Sequence, residues 1–470
     1  MSFKKDFVKN VAKFGGYTYL VQFIEFVSTI VLSRIISPEE YGFVALITVF
    51  SGFVLVFANV GIKHAVVRND YDDSKIGELF SLTLWIGLFL FIVFSLLAYP
   101  IALFYQNMEL VFPTIIMGIG FITQAINFVP NALATKDLNF NTIGLARILQ
   151  SIFQVVFMII LAFLGFSYWS LIIPIALSPL IQYLYFFFKI RFKHKFLSIK
   201  EAWLMLVEIK SLVGSITTSS IINYWTRNAD NLIIGKVFGE ASLGLYNRAY
   251  RFIYLAMRLI TSIFGTVLFP SLKKLKDEDG DVNKEFLAIL GGISFLNFPL
   301  AFMLILFAKP IVLILWGEDW VGVIQFMPYI GVLILLQTVF SATSDFYVLQ
   351  NKEKTVLKLS VYTSVFMLIG IIAGAFFSAL HVIIFYTIAN LILVPIQVYV
   401  GFYISLNFKV PELLQFWGPK FILASALTYF IYADMYWYQL GIAVFYFAHL
   451  IYYQRNDLDK VFAVIRKKRK

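Results

Sequence analysis

The 470-residue sequence contains no cysteine, and only four of its residues are histidine. Without cysteine the chain has no disulfide, no thiol nucleophile and no thiolate metal site. The histidines at 64, 194, 381 and 449 are too scattered to predict a metal site. No nucleotide-binding glycine motif follows a predicted strand. We therefore expect no metal and no resident cofactor.

Charge is also scarce, since 14% of the residues are charged whereas 60% are hydrophobic and 51 are phenylalanine. The mean hydropathy is +0.83. A soluble domain has about 25% charged and about 45–50% apolar residues, so the composition predicts an integral membrane protein. The basic start of the chain has no small-residue cleavage site before the first apolar run, and we expect this first span to be retained.

Apolar runs of roughly 20 residues, the length needed to cross a bilayer, predict an all-α protein with about fourteen transmembrane helices. The ten-residue alternating strands of an outer-membrane barrel are not seen. The predicted spans are 14–35, 41–62, 77–98, 110–134, 143–164, 168–189, 211–235, 241–268, 285–308, 322–348, 356–377, 381–403, 417–433 and 436–454.

The distribution of basic residues agrees with these spans. If the N-terminus is cytoplasmic, 30 of the 38 Lys and Arg residues lie in inner segments and three, Arg34, Lys236 and Lys309, in outer loops. Both termini are predicted to be cytoplasmic. The basic end "RKKRK" is interpreted as an anchor on anionic membrane lipid, and no nucleic-acid partner is expected.

A weak internal repeat predicts two halves. "SRIISPEEYG" (33–42) aligns with "GKVFGEASLG" (235–244), and "YPIALFY" (99–105) with "KPIVLIL" (309–315). We predict a first lobe at 1–190, a cytoplasmic connector at 191–210, a second lobe at 211–404, and a helix pair with a basic tail at 405–470. Both lobes begin on the same side, so the repeat is parallel and predicts a cleft between the lobes.

The five remaining basic residues lie inside spans, where an unpaired charge is costly and indicates a wet cavity or a partner. Asn223, Arg227 and Asp230 share one helical face, and Arg248, Arg251 and Arg258 share another. These stripes predict a cationic groove suited to phosphate. Pairing of Arg227 with Asp230, or extension of Arg248 to the interface, is the structural alternative. The candidate residues are Arg147, Arg227, Arg248, Arg251 and Arg258 for an anionic substrate, with Asn223, Asp230, Glu25 and Asp345 as polar or ion-coupling candidates.

The segment 221–252 resembles the signature region of bacterial Wzx-type polysaccharide flippases, in the MATE-like multidrug/oligosaccharidyl-lipid/polysaccharide (MOP) superfamily. Segments 32–46, 129–147 and 268–278 resemble further parts of that family, and the last 100 residues match only in hydropathy. The resemblance implies two six-helix lobes in a V with two additional helices. It also implies a flippase that moves undecaprenyl-pyrophosphate-linked oligosaccharide to the outer leaflet of the bacterial cytoplasmic membrane by alternating access.

The same resemblance implies that Arg147, Arg227, Arg248 and Arg251 hold pyrophosphate or acidic sugars, while Arg258 and Asp345 rest on spacing alone. It further implies a role in O-antigen, capsule or exopolysaccharide assembly, with a polymerase and other assembly proteins as partners and Na⁺ or H⁺ as a coupling ion. The alternatives are a MATE-type drug antiporter, for which five membrane arginines against three acids are unfavourable, and a lipid II-type flippase. A membrane glycosyltransferase or polymerase is disfavoured because the outer loops are short, so no enzyme is expected.

Overall fold

The structure, a computed structural model, describes residues 2–450 except 59–61, 63–65, 68, 193, 279 and 342. Within the helices, side chains are described outside 2–12, 208–220, 222–223, 226, 258–271, 273–274, 277, 344–345 and 353. The elements formed by the described residues are helices, and no β-strand is among them. The predicted all-α fold is confirmed.

The helices of the first half are α1 (Ser2–Leu32), α2 (Pro38–Ala58), α3 (Asp73–Tyr105), α4 (Val111–Ala125), α5 (Phe128–Lys136), α6 (Phe140–Phe163) and α7 (Trp169–Lys189). A long kinked helix, α8 (Ile199–Asp277), follows. The helices after it are α9 (Val282–Leu306), α10 (Ala308–Leu315), α11 (Met327–Ser341), α12 (Thr343–Leu349), α13 (Glu353–Ala375), α14 (Ala379–Gln397), α15 (Val410–Tyr432) and α16 (436–450). Short 3-10 helices cover Met108–Leu110 and Glu318–Val323, and a π-helix covers Val398–Ser405.

Ten helical segments of the described chain are long and apolar enough to cross a membrane, and each coincides with a predicted span. Of the other four predicted spans, 211–235 and 241–268 lie within α8, and 417–433 lies almost wholly within α15. The last, 436–454, begins with α16 and continues past the described residues. The chain is thus a multi-pass membrane protein, and the count of fourteen stays a prediction.

Local sequence explains where several helices begin. At the start of α2 the sequence Ser-Pro-Glu-Glu forms a capping box: Ser37 N donates to Glu40 Oε2 at 2.7 Å, and Glu40 N donates to Ser37 Oγ at 3.2 Å. Asp72 caps α3 by accepting from Lys75 N at 3.0 Å, and Asp281 caps α9 by accepting from Lys284 N at 3.0 Å. These caps fix where each helix begins after the short loop that precedes it.

Loops that were predicted to share a side lie next to each other. On the predicted cytoplasmic side, Lys136 Nζ lies 2.8 Å from Asp70 Oδ1, and Leu197 of the connector donates its N–H to Ser81 Oγ of α3 at 2.8 Å. On the opposite side, Asn107 Nδ2 donates to Glu240 Oε1 at 2.7 Å. The contacts agree with the predicted alternation of loops, and the choice of cytoplasmic side stays a prediction.

The chain packs into two compact units, Met1–Gly244 and Leu245–Lys470. The division falls inside α8, so its first part packs with the preceding helices. The second unit has an aromatic core in which Phe286 stacks on Phe346 with ring centroids 3.8 Å apart, close to Phe402. The predicted six-helix lobes and the additional helix pair stay a prediction.

Phe286→Ala is expected to destabilise the protein by about 3–5 kcal/mol, because it leaves a cavity where a fully buried ring was stacked. The measurement is the unfolding transition of the purified protein in detergent. The matched control is Phe376→Ala, since this ring is 81% exposed and its loss creates no cavity. Equal effects of the two substitutions would contradict the assignment of Phe286 to the core.

Candidate functional site

The charged segment near residue 240 is organised by a break in α8 at Gly239. This residue has φ 79° and ψ −175°, in the region that favours glycine, and it separates a first limb (199–238) from a second limb (240–277). The break falls within 235–244, where the sequence predicts a turn between two spans. Arg227 and Asp230 therefore belong to the first limb, and Arg248 and Arg251 to the second.

The residues just after this break pack directly against the beginning of α2. A Cβ atom added to Gly42 would lie 1.8 Å from the backbone oxygen of Glu240, and one added to Gly244 would lie 1.9 Å from the backbone oxygen of Pro38. Real Cβ atoms do not approach backbone oxygens so closely, so these two positions require glycine. We call this contact, between residues 38–42 and 240–244, the glycine crossing.

The glycine crossing is symmetric with respect to the internal repeat. Gly42 and Gly244 are 202 positions apart, as are Pro38 and Glu240, and this is the offset at which the two turn motifs align. Gly42 faces the backbone of Glu240, and Gly244 faces the backbone of Pro38, so each glycine contacts the same repeat position in the other copy. The two copies of the motif thus contact each other through equivalent residues, which is what a local two-fold relation produces.

Polar side chains surround the glycine crossing. Asn107 Nδ2 donates to Glu240 Oε1 at 2.7 Å, and the Ser167 hydroxyl donates to Glu40 Oε1. Further along α2, the Tyr224 hydroxyl of the first limb donates to the Val49 backbone oxygen. The crossing therefore continues as a close helix–helix contact below the turns.

Burial raises the pKa of the Glu240 carboxyl above its ordinary value. The hydrogen bond from Asn107 opposes this rise, whereas the nearby carboxylates Glu109 and Glu39 add to it because like charges disfavour ionisation. Glu240 lies between the two spans predicted within α8. Glu240 was not among the residues predicted from the sequence; the available signal was an acidic residue directly after the predicted turn glycine, at a repeat position.

The predicted site residues of the first unit have different environments. Arg227 is exposed, whereas Asp230 is 3% exposed and accepts a hydrogen bond from Asn231 N at 2.8 Å. Arg147 on α6 is exposed, and its guanidinium carbon lies 5.4 Å from the centroid of the Phe14 ring. Glu25 on α1 is half-buried. The Asn223 side chain lies outside the described residues.

In the second unit, Arg248 is held by aromatic rings. The residue is 4% exposed, and its guanidinium carbon lies 4.2 Å from the ring centroid of Trp320 and 5.4 Å from that of Trp316. Such stacking stabilises a cation and fixes the plane of the guanidinium. Arg251, one turn further on, is exposed. The side chains of Arg258 and Asp345 lie outside the described residues.

A polar cluster of the second unit was missed by the sequence analysis. Gln337 Nε2 of α11 donates to the Tyr386 hydroxyl at 2.9 Å and to Asn390 Oδ1 at 3.3 Å, both on α14. The Tyr250 hydroxyl of α8 lies 3.5 Å from that of Tyr386. The available signal was the spacing of Tyr246, Tyr250 and Tyr254, whose rings follow one another 5.5 Å apart.

Two solved structures share this fold. The structure of the lipid II flippase MurJ in its inward closed conformation aligns with a TM-score of 0.68 over 95% of this chain and 99% of that chain, at 16% identity. The inward-facing conformation of a multidrug resistance MATE family transporter of the MOP superfamily aligns with a TM-score of 0.64 over 79% and 92%, at 16% identity. The predicted MATE-like fold is confirmed.

Residues 31–325 match the model of a family described as polysaccharide biosynthesis protein, and the chain belongs to this family. Curated relatives include the succinoglycan biosynthesis transport protein ExoT of Rhizobium meliloti, 24% identical over 69% of this chain and 64% of the relative. They also include the lipopolysaccharide biosynthesis protein WzxC of Escherichia coli, 22% identical over 76% and 73%. The match thus spans from just under two thirds to about three quarters of these relatives.

The family predicted from segment 221–252 is thereby confirmed. ExoT is named as a transport protein and MurJ as a flippase, in agreement with the prediction that this chain is a transporter and not an enzyme. The roles of the individual site residues stay predictions.

Proposed function

We propose that this protein is a flippase that moves an undecaprenyl-pyrophosphate-linked oligosaccharide from the inner to the outer leaflet of a bacterial cytoplasmic membrane. The observation that carries the proposal is the family match over residues 31–325, a range that contains the glycine crossing and the α8 arginines. The relatives named for transport in succinoglycan biosynthesis and for lipopolysaccharide biosynthesis support it. The MOP-superfamily fold supports transport without covalent chemistry.

In this proposal the exposed arginines Arg227, Arg251 and Arg147 contact the pyrophosphate or acidic sugars, because Arg presents planar donors that match phosphate oxygens. Arg258 is a further candidate. Arg248 has a different part: its guanidinium stacks on Trp320 and fixes the geometry of the second limb beside Arg251.

Alternating access is the mechanism proposed, with two six-helix lobes that open in turn to either side of the membrane. Both termini are cytoplasmic in this proposal, and the basic tail binds anionic lipid. A gradient of Na⁺ or H⁺ returns the empty carrier, with Glu25, Asn223, Asp230 and Asp345 as candidate ion-coupling residues. A polymerase and other polysaccharide-assembly proteins are the proposed partners that receive the exported units.

The experiment compares the leaflet distribution of lipid-linked oligosaccharide in membranes with and without this protein. We expect loss of the protein to leave the oligosaccharide accessible only from the cytoplasmic side, and re-expression to restore outer accessibility. Normal outer delivery in a strain that lacks this protein and any redundant flippase would overturn the proposal. Delivery of lipid II without the oligosaccharide would instead favour the lipid II alternative, and drug efflux alone would favour the antiporter.

A further inference from the structure

The glycine crossing is a tightly constrained backbone contact of the first unit. Its two backbones touch at Gly42 and Gly244, and there is no room for even one additional carbon atom at either position. Residues 38–42 form the first turn of α2, and 240–244 form the first turn of the second limb of α8, so the contact lies at the predicted outer end of the spans. Parting it frees the beginning of α2 from the turn of α8.

A contact between the two copies of a repeat is suited to opening and closing. Because Gly42 faces Glu240 and Gly244 faces Pro38, both glycine contacts form or break together when the two turns separate. Neighbouring loops also hold each turn, since Asn107 donates to Glu240 and Ser167 donates to Glu40. The closest approach between the two turns is between backbone atoms. The charge state of the nearby carboxylates then sets how strongly the two turns are held together.

The charges around Glu240 come from several elements. Glu39 lies at the start of α2, Glu109 lies on the 3-10 helix after α3, and Tyr168 precedes α7 close enough to respond to both Glu109 and Glu240. On its own helix, Lys236 is directed elsewhere, since its ammonium donates to the Phe104 backbone oxygen and lies 5.2 Å from the Phe104 ring centroid. Glu240 is therefore surrounded mainly by like charge.

We propose that Glu240 is a proton-sensitive positioning residue whose protonation holds the glycine crossing together, and whose ionisation releases it. This inference rests on the proposed function, in which the outer end must open and close. In the crossing Glu240 is half-buried near Glu39 and Glu109, so its charged form is less favourable there than in water. Parting the turns exposes it to water, where the charged form is favoured.

The direction of the pH dependence follows from this difference. The pKa of Glu240 is higher in the formed crossing than in water, where glutamate has a pKa of about 4.3. The crossing is therefore most stable in acid, and it weakens as pH rises through the interval between these two pKa values. The equilibrium constant between the formed and the parted crossing changes by about tenfold for each pH unit of difference between the two pKa values of Glu240. A proton taken up from an acidic exterior thus closes the outer end.

The sequence is free of cysteine, so the labelling of a single introduced cysteine measures the accessibility of that position alone. We place it by Ala241→Cys in the full-length protein in membranes and measure its labelling rate with a membrane-impermeant maleimide between pH 5 and pH 8. Each rate is divided by that of an Asp319→Cys protein at the same pH, because Asp319 is exposed and this division removes the pH dependence that any exposed thiol shows in this reaction. We expect the normalised rate to rise with pH.

In the same background, Glu240→Gln is expected to give slow labelling at every pH, since the neutral amide mimics the protonated carboxyl. Glu109→Gln removes a like charge and is expected to move the midpoint to lower pH. The matched control Glu318→Gln, at an exposed carboxylate remote in sequence from the crossing, leaves the midpoint unchanged. A flat normalised rate in the parent protein, or a pH dependence that survives Glu240→Gln, would overturn the proposal.

This measurement needs no glycan and no transport. If oligosaccharide delivery proves independent of the protein while the labelling remains pH-dependent through Glu240, the flippase assignment fails and the proton-sensitive contact stands. If delivery depends on the protein and the labelling rate does not change with pH, the flippase assignment stands and the proton-sensitive contact fails.

Discussion

Gly42→Ala is expected to reduce oligosaccharide transport by roughly a hundredfold while the protein remains folded. The new methyl group would overlap the Glu240 backbone oxygen, which lies 1.8 Å from the position of its carbon. Overpacking costs about 1–3 kcal/mol and sometimes more, and a backbone atom yields less than a flexible side chain, so we expect the upper end. About 3 kcal/mol corresponds to roughly a hundredfold change in the equilibrium of the crossing.

The repeat makes a second, matched substitution available. Gly244→Ala would overlap the Pro38 backbone oxygen at 1.9 Å and is expected to have the same effect. Because both substitutions separate the same two turns, the double variant should be little worse than either single one. The control is Gly418→Ala in α15, where a Cβ atom meets nothing within 4 Å. Normal transport in Gly42→Ala, with Gly418→Ala equally normal, would contradict a functional role of the crossing.

The sequence predicted those parts of the fold that depend on local patterns. Ten predicted spans coincide with membrane-length helices, because the length of an apolar run can be read directly from the sequence and about 20 residues are needed to cross a bilayer. The turn near Gly239 and the offset of 202 residues were also predictable, since both depend on a motif that occurs twice. The contact between the two motifs through Gly42 and Gly244 was not predictable. Aligning two copies of a motif shows that they are equivalent, but it does not show that they lie next to each other.

Side-chain environments in the second unit depend on residues distant in sequence. Spacing places Arg248 and Arg251 on one helical face, yet Arg248 is buried and Arg251 exposed. The difference comes from Trp316 and Trp320, which follow the next membrane helix and lie against the guanidinium of Arg248. Similarly, Gln337 on α11 meets Tyr386 on α14, and spacing within either helix does not predict its partner on the other.

Arg251→Gln is expected to lower oligosaccharide transport by roughly 10- to 100-fold and to leave the unfolding temperature unchanged. An exposed arginine that binds a phosphate contributes about 1.5–3 kcal/mol through charge-assisted hydrogen bonds, and each 1.4 kcal/mol is a factor of ten in affinity. Arg251→Lys keeps the charge but not the planar pair of donors, so we expect it to restore part of the transport. Transport and unfolding are measured on the same preparations in reconstituted vesicles and in detergent.

Arg248 provides the matched comparison, because it lies one turn away on the same limb and differs in its surroundings. Arg248→Gln removes a cation that lies over the Trp320 ring and near the Trp316 ring, which is expected to cost about 2 kcal/mol of stability. Arg248→Lys should not restore it, since an ammonium cannot replace a planar group stacked on an indole. Equal loss of stability in the Arg248 and Arg251 variants would mean that both arginines are structural. A loss of transport in Arg248→Gln without a loss of stability would give Arg248 the substrate contact that we assign to Arg251.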